Sequence, residues 1–249
     1  MILERKVAIV TGSSRGIGAA TAKLLAANGA RVVVNYVNAA EQGKKVVEEI
    51  HKQGGEAILV RADVTDPAQV ESLVAQARKA FGPVDILVNN ASISFPMVPF
   101  VQYEWEDFQR KLVHELKVSF HTCKAVAGEM IGRKSGCIVN VSSGLSRQPG
   151  LGFVAHSTAK SALDAFSRGL ALELGPHGIR VNVVAPGLTL TDATAHLPEQ
   201  ARQAIAAHTP LGCLAQAQDI AGAILFYCTD WARFITGTYL PVCGGTQMI

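Results

Sequence analysis

Short runs of apolar residues recur along the chain, separated by longer segments in which apolar and polar positions mix at helical spacing. The first run, at 6–10, is rich in β-branched residues. It shows no alternation of apolar and polar side chains, which is typical of a strand buried on both faces of a sheet. Runs of the same kind predict further strands at 31–36, 57–61, 85–88, 137–141, 179–184 and 239–242.

The segments between these strands predict helices. One stops at Asn28, and the others cover about 40–53, 67–81, 104–130, 153–174 and 217–229. Asp66 is predicted to cap the helix that has Pro67 at its first position. Because strand and helix alternate throughout, the pattern predicts an α/β fold: a Rossmann-type, doubly wound parallel sheet flanked by helices on both faces.

The chain of 249 residues contains no linker, repeat or low-complexity tract, so one domain is predicted over 1–249. The segment 188–212 has no β pattern and contains His196 and His208. Long segments of this kind are commonly functional, and we interpret it as a mobile lid over a substrate.

Composition narrows the function classes. The net charge of +3 is small and dispersed, which argues against a nucleic-acid partner, and the longest apolar runs are strand-sized, so no membrane-spanning helix or signal peptide is expected. The five cysteines are widely spaced and form no CxxC pair, which indicates reduced thiols in a cytoplasmic protein. No group of His, Cys and carboxylate residues shows metal-ligand spacing, so no metal site is predicted.

A glycine-rich turn follows the first strand and opens the first helix, with the sequence TGSSRGIG at 11–18. Its glycines permit a tight turn and close approach of the backbone to a pyrophosphate at the helix N-terminus, although a plain strand–helix turn is an alternative. The second strand ends at Asn35-Tyr36 with no carboxylate before Glu41, and Arg15 offers a positive charge unless it is simply solvated. These features favour NADP over NAD.

Polar and apolar residues after later strands suggest further parts of a cleft. Asp63-Val64 lies where an adenine is expected, and the Asn-rich segment 89–92 either borders the crevice or simply forms a turn. The apolar loop at 92–101 is either a wall of a substrate pocket or a cover over the core.

The richest candidate chemistry lies in the segment 142–160. Ser143 follows a buried strand, and His156 and Lys160 are four residues apart, so they share one face of the next helix. A hydroxyl at the carboxyl end of a strand, facing a titratable pair on the following helix, is how an open α/β sheet builds a site.

Together these motifs resemble the short-chain dehydrogenase/reductase family along the whole chain, and within it the group of β-ketoacyl-acyl-carrier-protein reductases. The matching segments are 11–18, Asp63-Val64, 89–91, 138–143, Lys160, 176–187, Thr191 and 235–242. The resemblance implies hydride transfer between NADP(H) and a carbonyl/alcohol pair on a small-molecule or carrier-bound acyl substrate, usually in a homotetramer. The cofactor-binding residues that it implies are Gly12, Ser14, Arg15, Ile17, Gly18, Asn35, Asp63, Val64, Asn89, Ala91, Lys160, Pro186, Gly187, Thr189 and Thr191.

The resemblance fails at part of the catalytic set. Ser143 and Lys160 match the family's Ser and Lys, but His156 stands at the Tyr position and Glu115 at the position of the Asn that completes the proton relay. Two smaller departures are Ser92, where the family has Gly, and Cys243, where an Asp often precedes the Gly-Gly pair.

Our first hypothesis is a rewired proton relay. Lys160 should lower the pKa of His156, and a depression of one unit, to about 5.5, is one that a general acid tolerates. Glu115 would neutralise the Lys160 ammonium, and Ser143 would hold the substrate oxygen. An imidazolium acid of this kind predicts turnover that falls as the pH rises through about 6 to 7.

Two alternatives remain open. The chain is alternatively a non-catalytic subunit in a hetero-oligomer with a Tyr-bearing relative. The same scaffold is also compatible with dehydration or isomerisation, with His156 as the base.

Overall fold

In the computed structural model, which describes residues 1–195 and 197–248, a parallel sheet of seven strands forms the centre of the molecule. Its strands are β1 Val7–Val10, β2 Arg31–Tyr36, β3 Glu56–Arg61, β4 Ile86–Asn89, β5 Gly136–Val141, β6 Ile179–Pro186 and β9 Tyr239–Val242. Two short strands, β7 Thr189–Leu190 and β8 Ala215–Gln216, lie outside this sheet. The order in the sheet is β3-β2-β1-β4-β5-β6-β9, and β7 pairs with β8 separately.

Helices cover both faces of this sheet. They are α1 Gly16–Ala27, α2 Ala40–Lys52, α3 Pro67–Phe81, α4 Trp105–Arg133, α5 Val154–Leu174, α6 Glu199–Ala207 and α7 Ala217–Cys228. Ala8 and Val10 of β1 pack in one buried cluster with residues of α1, α2 and α7, whereas Val7 and Ile9 pack in another with residues of α3, α4 and α5. Because both faces are covered, the strands lack alternation. The predicted doubly wound α/β fold is confirmed.

The segment 188–212, predicted to be a lid without a β pattern, contains more regular structure than expected. Its start pairs with β8 through Thr189 and Leu190, and α6 occupies 199–207. His208 is the C-terminal cap of α6, whereas His196 lies outside the described residues. The mobility of this segment stays a prediction. No helix among the described residues is both long and apolar enough to cross a membrane.

The strand order places a crevice at one edge of the sheet. From β1 the chain winds outward to β2 and β3, and it then returns to continue from β4 on the other side of β1. In open α/β sheets such a reversal leaves a ligand-binding crevice beyond the carboxyl ends of the strands.

Asn35, at the end of β2, fixes the turn that borders this crevice. Its side chain accepts a hydrogen bond from the backbone N–H of Gly12 (3.0 Å) and donates one to the carbonyl of Ala62 (2.9 Å). Its backbone N–H donates to the Ser13 hydroxyl (3.0 Å), and its carbonyl accepts from the Ser13 backbone N–H (2.9 Å). These bonds bind the glycine-rich turn to β2 and to the end of β3.

Replacing Asn35 by Ala should therefore destabilise the fold. The variant leaves the Gly12 N–H and the Ala62 carbonyl without their buried partner, at an expected cost of about 2–4 kcal/mol in the free energy of unfolding. Asn38→Ala, at an exposed position just beyond the same strand, should change this free energy by less than about 0.5 kcal/mol. Denaturant unfolding measures both variants, and equal losses would contradict this role of Asn35.

Candidate functional site

A cleft of about 1120 Å³ opens at the carboxyl edge of the sheet. It is bordered by the glycine-rich turn, the ends of β2, β4, β5 and β6, the start of α5 and the segment after Pro186. Most residues predicted from the sequence line it: Gly12, Ser14, Arg15, Ile17, Asp63, Val64, Ala91, Ser143, His156, Lys160, Pro186, Gly187, Thr189 and Thr191.

Four predicted residues lie behind the wall of this cleft and do not line it. Asn35 faces the glycine-rich turn, and Asn89 donates to the Asn140 side chain (2.8 Å) and accepts from the Thr122 hydroxyl (2.7 Å). Gly18 is buried in α1, and Glu115 is buried in α4. Asn35, Asn89 and Gly18 therefore position the residues that line the cleft, and a direct part for them in cofactor binding stays a prediction.

The glycine-rich turn has no room for side chains where it meets β4. Gly12 has a φ of +60°, and a Cβ there would lie 2.9 Å from the Cα of Ala91. A Cβ on Gly18 would lie 2.5 Å from the Asn90 side-chain nitrogen. The turn leads into α1, whose first turn carries no acidic residue to compete for its free N–H groups. This cradle fits a pyrophosphate.

The end of β2 fits a phosphorylated ribose. Tyr36, Val37, Asn38 and Ala39 line the cleft there without a carboxylate, and exposed Arg15 lines the same region. Just after the neighbouring strand β3, the Asp63 carboxylate accepts hydrogen bonds from the backbone N–H and the hydroxyl of Thr65. These bonds lower the pKa of Asp63 and fix the orientation of its carboxylate.

The floor of the cleft contains a buried ionic cluster around Glu115. Lys160 Nζ donates to Glu115 Oε1 (2.5 Å) and to the Val141 carbonyl (2.7 Å). Lys111 Nζ donates to Glu115 Oε2 (2.7 Å) and to the Ser92 hydroxyl (2.7 Å), which in turn donates to Glu115 Oε2 (2.9 Å). The predicted contact between Glu115 and Lys160 is confirmed, and Lys111 joins it.

One carboxylate is thus shared by two ammonium groups. Burial alone would raise the pKa of Glu115, but Lys160 and Lys111 outweigh it and lower this pKa to about 2. Burial lowers the pKa of Lys111, and Glu115 opposes that effect. Lys111 was missed in the sequence, although its spacing of four residues from Glu115 on one helix was a usable signal.

His156 projects into the cleft from the first turn of α5 and is half-buried among aromatic rings. Its ring stacks on Phe95, with centroids 4.7 Å apart and an interplanar angle of 13°, and Phe153 meets it edge-on at 6.5 Å. Its Nδ1 is buried and has no hydrogen-bond partner among the described residues.

This environment corrects the predicted acidity of His156. Burial, followed by the charges of Lys160 and Lys111, lowers its pKa to about 3, and Glu115 offsets only part of this. The expected direction is confirmed, and the pKa falls further than the one-unit depression considered above. Neither the aromatic neighbours nor the second lysine was anticipated. At neutral pH His156 is an uncharged imidazole.

Ser143 lies just after β5 and lines the same cleft as His156 and Lys160. Its hydroxyl oxygen accepts a hydrogen bond from the backbone N–H of Leu145 (3.2 Å), and its carbonyl accepts one from the hydroxyl of Tyr239 (3.2 Å). Since the Ser143 hydroxyl donates to no other group in the described part of the chain, its proton is available to a substrate oxygen.

Gly187 and Cys243 close the far end of the cleft. A Cβ on Gly187 would lie 2.9 Å from the Cβ of Cys243, so the two backbones pack directly. Cys243 Sγ accepts from the backbone N–H of Gln247 (3.3 Å), so its thiol holds the turn that follows β9. His114 also lines the cleft and was not predicted to do so. No group of three or more His, Cys, Asp or Glu residues within the described ranges is placed to hold a metal ion.

Comparisons with known proteins agree with this geometry. A family model described as enoyl-(acyl carrier protein) reductase matches residues 12–247. The 3-oxoacyl-[acyl-carrier-protein] reductase FabG of Escherichia coli (strain K12) is 39% identical, and the match covers 100% of both chains. A (2S)-[(R)-hydroxy(phenyl)methyl]succinyl-CoA dehydrogenase subunit, BbsD of Thauera aromatica, is 37% identical over 100% of this chain and 99% of its own length.

Among solved structures, a blue fluorescent protein from a metagenomic library in complex with NADPH superposes with a TM-score of 0.90. It is 37% identical, and the match covers 100% of both chains. Sequence motifs, sheet order and cleft residues agree with these matches, and the chain belongs to the short-chain dehydrogenase/reductase family.

Proposed function

We propose that this protein binds NADP(H) in the cleft and reduces a ketone-like or β-ketoacyl carbonyl, with neutral His156 as a hydrogen-bond donor to the substrate oxygen. The observation that carries the proposal is the presence in one cleft of Ser143, His156, Lys160 and the glycine-rich turn, whose Gly12 and Gly18 leave no room for a Cβ. The full-length relatedness to a 3-oxoacyl-[acyl-carrier-protein] reductase supports the reaction class.

The chain offers a group for each part of such a cofactor. The turn at 11–18 would hold the pyrophosphate, Arg15 the 2′-phosphate, and Asp63-Val64 the adenine end. Lys160 donates two of its three N–H groups to Glu115 and the Val141 carbonyl, so one remains for a ribose hydroxyl. When bound, NADPH supplies the hydride for a carbonyl carbon. The NADPH complex of the structural relative supports this cofactor.

The protonation state of His156 decides how it acts. Protonating an imidazole with a pKa of about 3 at pH 7 costs about 5 kcal/mol, so an imidazolium acid is not available. A neutral imidazole still polarises a carbonyl by donating its ring N–H. Ser143 donates the second hydrogen bond, and water in the open cleft supplies the proton that the product oxygen needs.

The substrate end of the cleft is apolar. Ile93, Leu145 and Phe153 line it close to His156, which suits an acyl chain or another apolar ketone. Both a free small molecule and a carrier-bound acyl group fit this chemistry. A homotetramer remains our expectation for the assembly.

The low pKa of His156 also favours a second function. If a neutral imidazole polarises the carbonyl too weakly, the chain binds NADPH without turning over and acts as the non-catalytic subunit beside a Tyr-bearing relative. The name of the Thauera relative, a dehydrogenase subunit, is consistent with this alternative. Dehydration or isomerisation with His156 as the base is disfavoured, because a group with a pKa of about 3 is a weak base.

The pH profile separates a neutral donor from an imidazolium acid. With NADPH and a short β-ketoacyl thioester, kcat/KM should stay flat between about pH 5 and 9, because His156 stays neutral over this range. An imidazolium acid would instead lose about tenfold per pH unit above its pKa, and that result would contradict the proposal. Protein-free blanks at each pH correct for decay of NADPH.

Binding is followed in the same samples through the fluorescence of NADPH. Saturable binding without thioester turnover at any pH would establish the second function, and absence of both would refute cofactor binding itself.

Two ring substitutions test whether the His156 N–H is used. His156→Phe keeps an aromatic ring against Phe95 but has no donor, so turnover should fall at least tenfold while NADPH binding persists. His156→Tyr restores a hydroxyl and should turn over faster than His156→Phe by about 10²-fold. Equal rates for His156→Phe and the unmodified protein would exclude His156 from the reaction.

A further inference from the structure

Two cysteines converge at the edge of the sheet opposite the cleft. Cys137 lies in β5 and Cys228 ends α7, and both line a cavity of about 440 Å³ and belong to one buried cluster. The Cys137 thiol donates to the carbonyl of Tyr227 (3.3 Å), the residue just before Cys228. The two side chains therefore meet where the end of α7 packs on β5.

Arg180 runs alongside both thiols. It is the partner of Cys137 in the parallel register of β5 and β6, and its Nη2 donates to the carbonyl of Thr229 (3.4 Å), the residue just after Cys228. Its Nη1 is buried and has no partner among the described residues. The Arg180 side chain starts opposite Cys137, and its guanidinium lies beside Cys228. Its positive charge therefore stabilises a thiolate at this point.

The environment makes the two thiols unequal. Hydrogen bonding with Cys228 and, against burial, the charge of Arg180 lower the pKa of the Cys137 thiol. The contact with Cys137 and burial raise the pKa of Cys228. An attacking thiolate beside a protonated thiol is the arrangement in which a sulfenic acid is resolved to a disulfide.

We propose that Cys137 and Cys228 form a peroxide-sensitive dithiol, which closes to an intramolecular disulfide when hydrogen peroxide enters the cavity. The Cys137 thiolate attacks a peroxide oxygen. An S–O bond forms, the O–O bond breaks, and the leaving hydroxide takes a proton to become water. Cys228 sulfur then attacks the sulfenic sulfur, the S–S bond replaces the S–O bond, and the Cys228 proton leaves with hydroxide as a second water. Two thiols are oxidised and one peroxide is reduced.

The cavity gives the oxidant a route. Its lining includes Arg233 and Phe234, which are exposed at its rim, Phe234 at 99%. The other cysteines provide internal controls. Cys213 is exposed and free to react without a partner, whereas Cys123 is buried away from this cavity and its pKa is raised to about 12.

The experiment exposes the purified full-length chain to a small excess of hydrogen peroxide and removes the peroxide with catalase. The chain is then unfolded in an alkylating reagent, and its peptides are mapped by mass spectrometry. The expected result is a cross-linked peptide joining Cys137 to Cys228, lost on reduction with dithiothreitol, with Cys123 alkylated throughout. Quantitative alkylation of both Cys137 and Cys228 after treatment, with oxidation confined to Cys213, would overturn the proposal.

Variants make the order of steps visible. In Cys228→Ser, Cys137 should accumulate as a sulfenic acid that dimedone captures, whereas Cys123→Ser should leave the cross-link unchanged. Capture at Cys228 in Cys137→Ser, with none at Cys137 in Cys228→Ser, would refute the assigned roles. Because a disulfide across so long a segment restricts the unfolded chain, oxidation should also raise the thermal midpoint of the unmodified protein and not that of Cys228→Ser.

Discussion

The Glu115 carboxylate, shared by the ammonium groups of Lys111 and Lys160, is the interaction on which the rest of the site depends. All three residues are at least 96% buried, and a charge so placed is tolerated only when it is paired and hydrogen-bonded. Glu115 pairs with both lysines, yet one carboxylate does not balance two ammonium groups, so positive charge is in excess beneath the cleft. Together with the aromatic burial of His156, that excess keeps the imidazole neutral at physiological pH.

Three of the four departures from the family pattern are connected, namely Ser92, Glu115 and His156. The hydroxyl of Ser92, at a position where the family has Gly, bridges Lys111 and Glu115. Lys111 Nζ also lies 5.2 Å from the centroid of the Phe95 ring, which stacks on His156. Ser92, Glu115 and His156 are thus linked through Lys111 and Phe95, while Nδ1 of His156 has no hydrogen-bond partner among the described residues.

The sequence predicted the sheet well because its strands are buried on both faces, so that each run is continuously apolar; the bounds 31–36 and 239–242 agree with the structure. It predicted Ser143, His156 and Lys160 because they are close in the chain. It missed Lys111 because Ser92 and Lys160, its neighbours in space, come from distant segments. It did not show that the Asn35 and Asn89 side chains face away from the cleft, because a shift of one residue along a strand end reverses the direction of a side chain. Helix α6 escaped notice since it buries no residue.

Direct observation of the His156 proton tests the central claim, which is that the buried cluster and the aromatic rings hold this imidazole neutral. In a sample labelled with ¹³C-histidine, the ring carbon shifts of His156 can be followed from pH 8 downward and assigned by their absence in His156→Phe. If the cluster and the rings hold His156 neutral, its shifts stay constant until the pH is well below 5, whereas an ordinary imidazole changes at about pH 6.5. Titration of His156 near that value would show an ordinary imidazole and contradict the account.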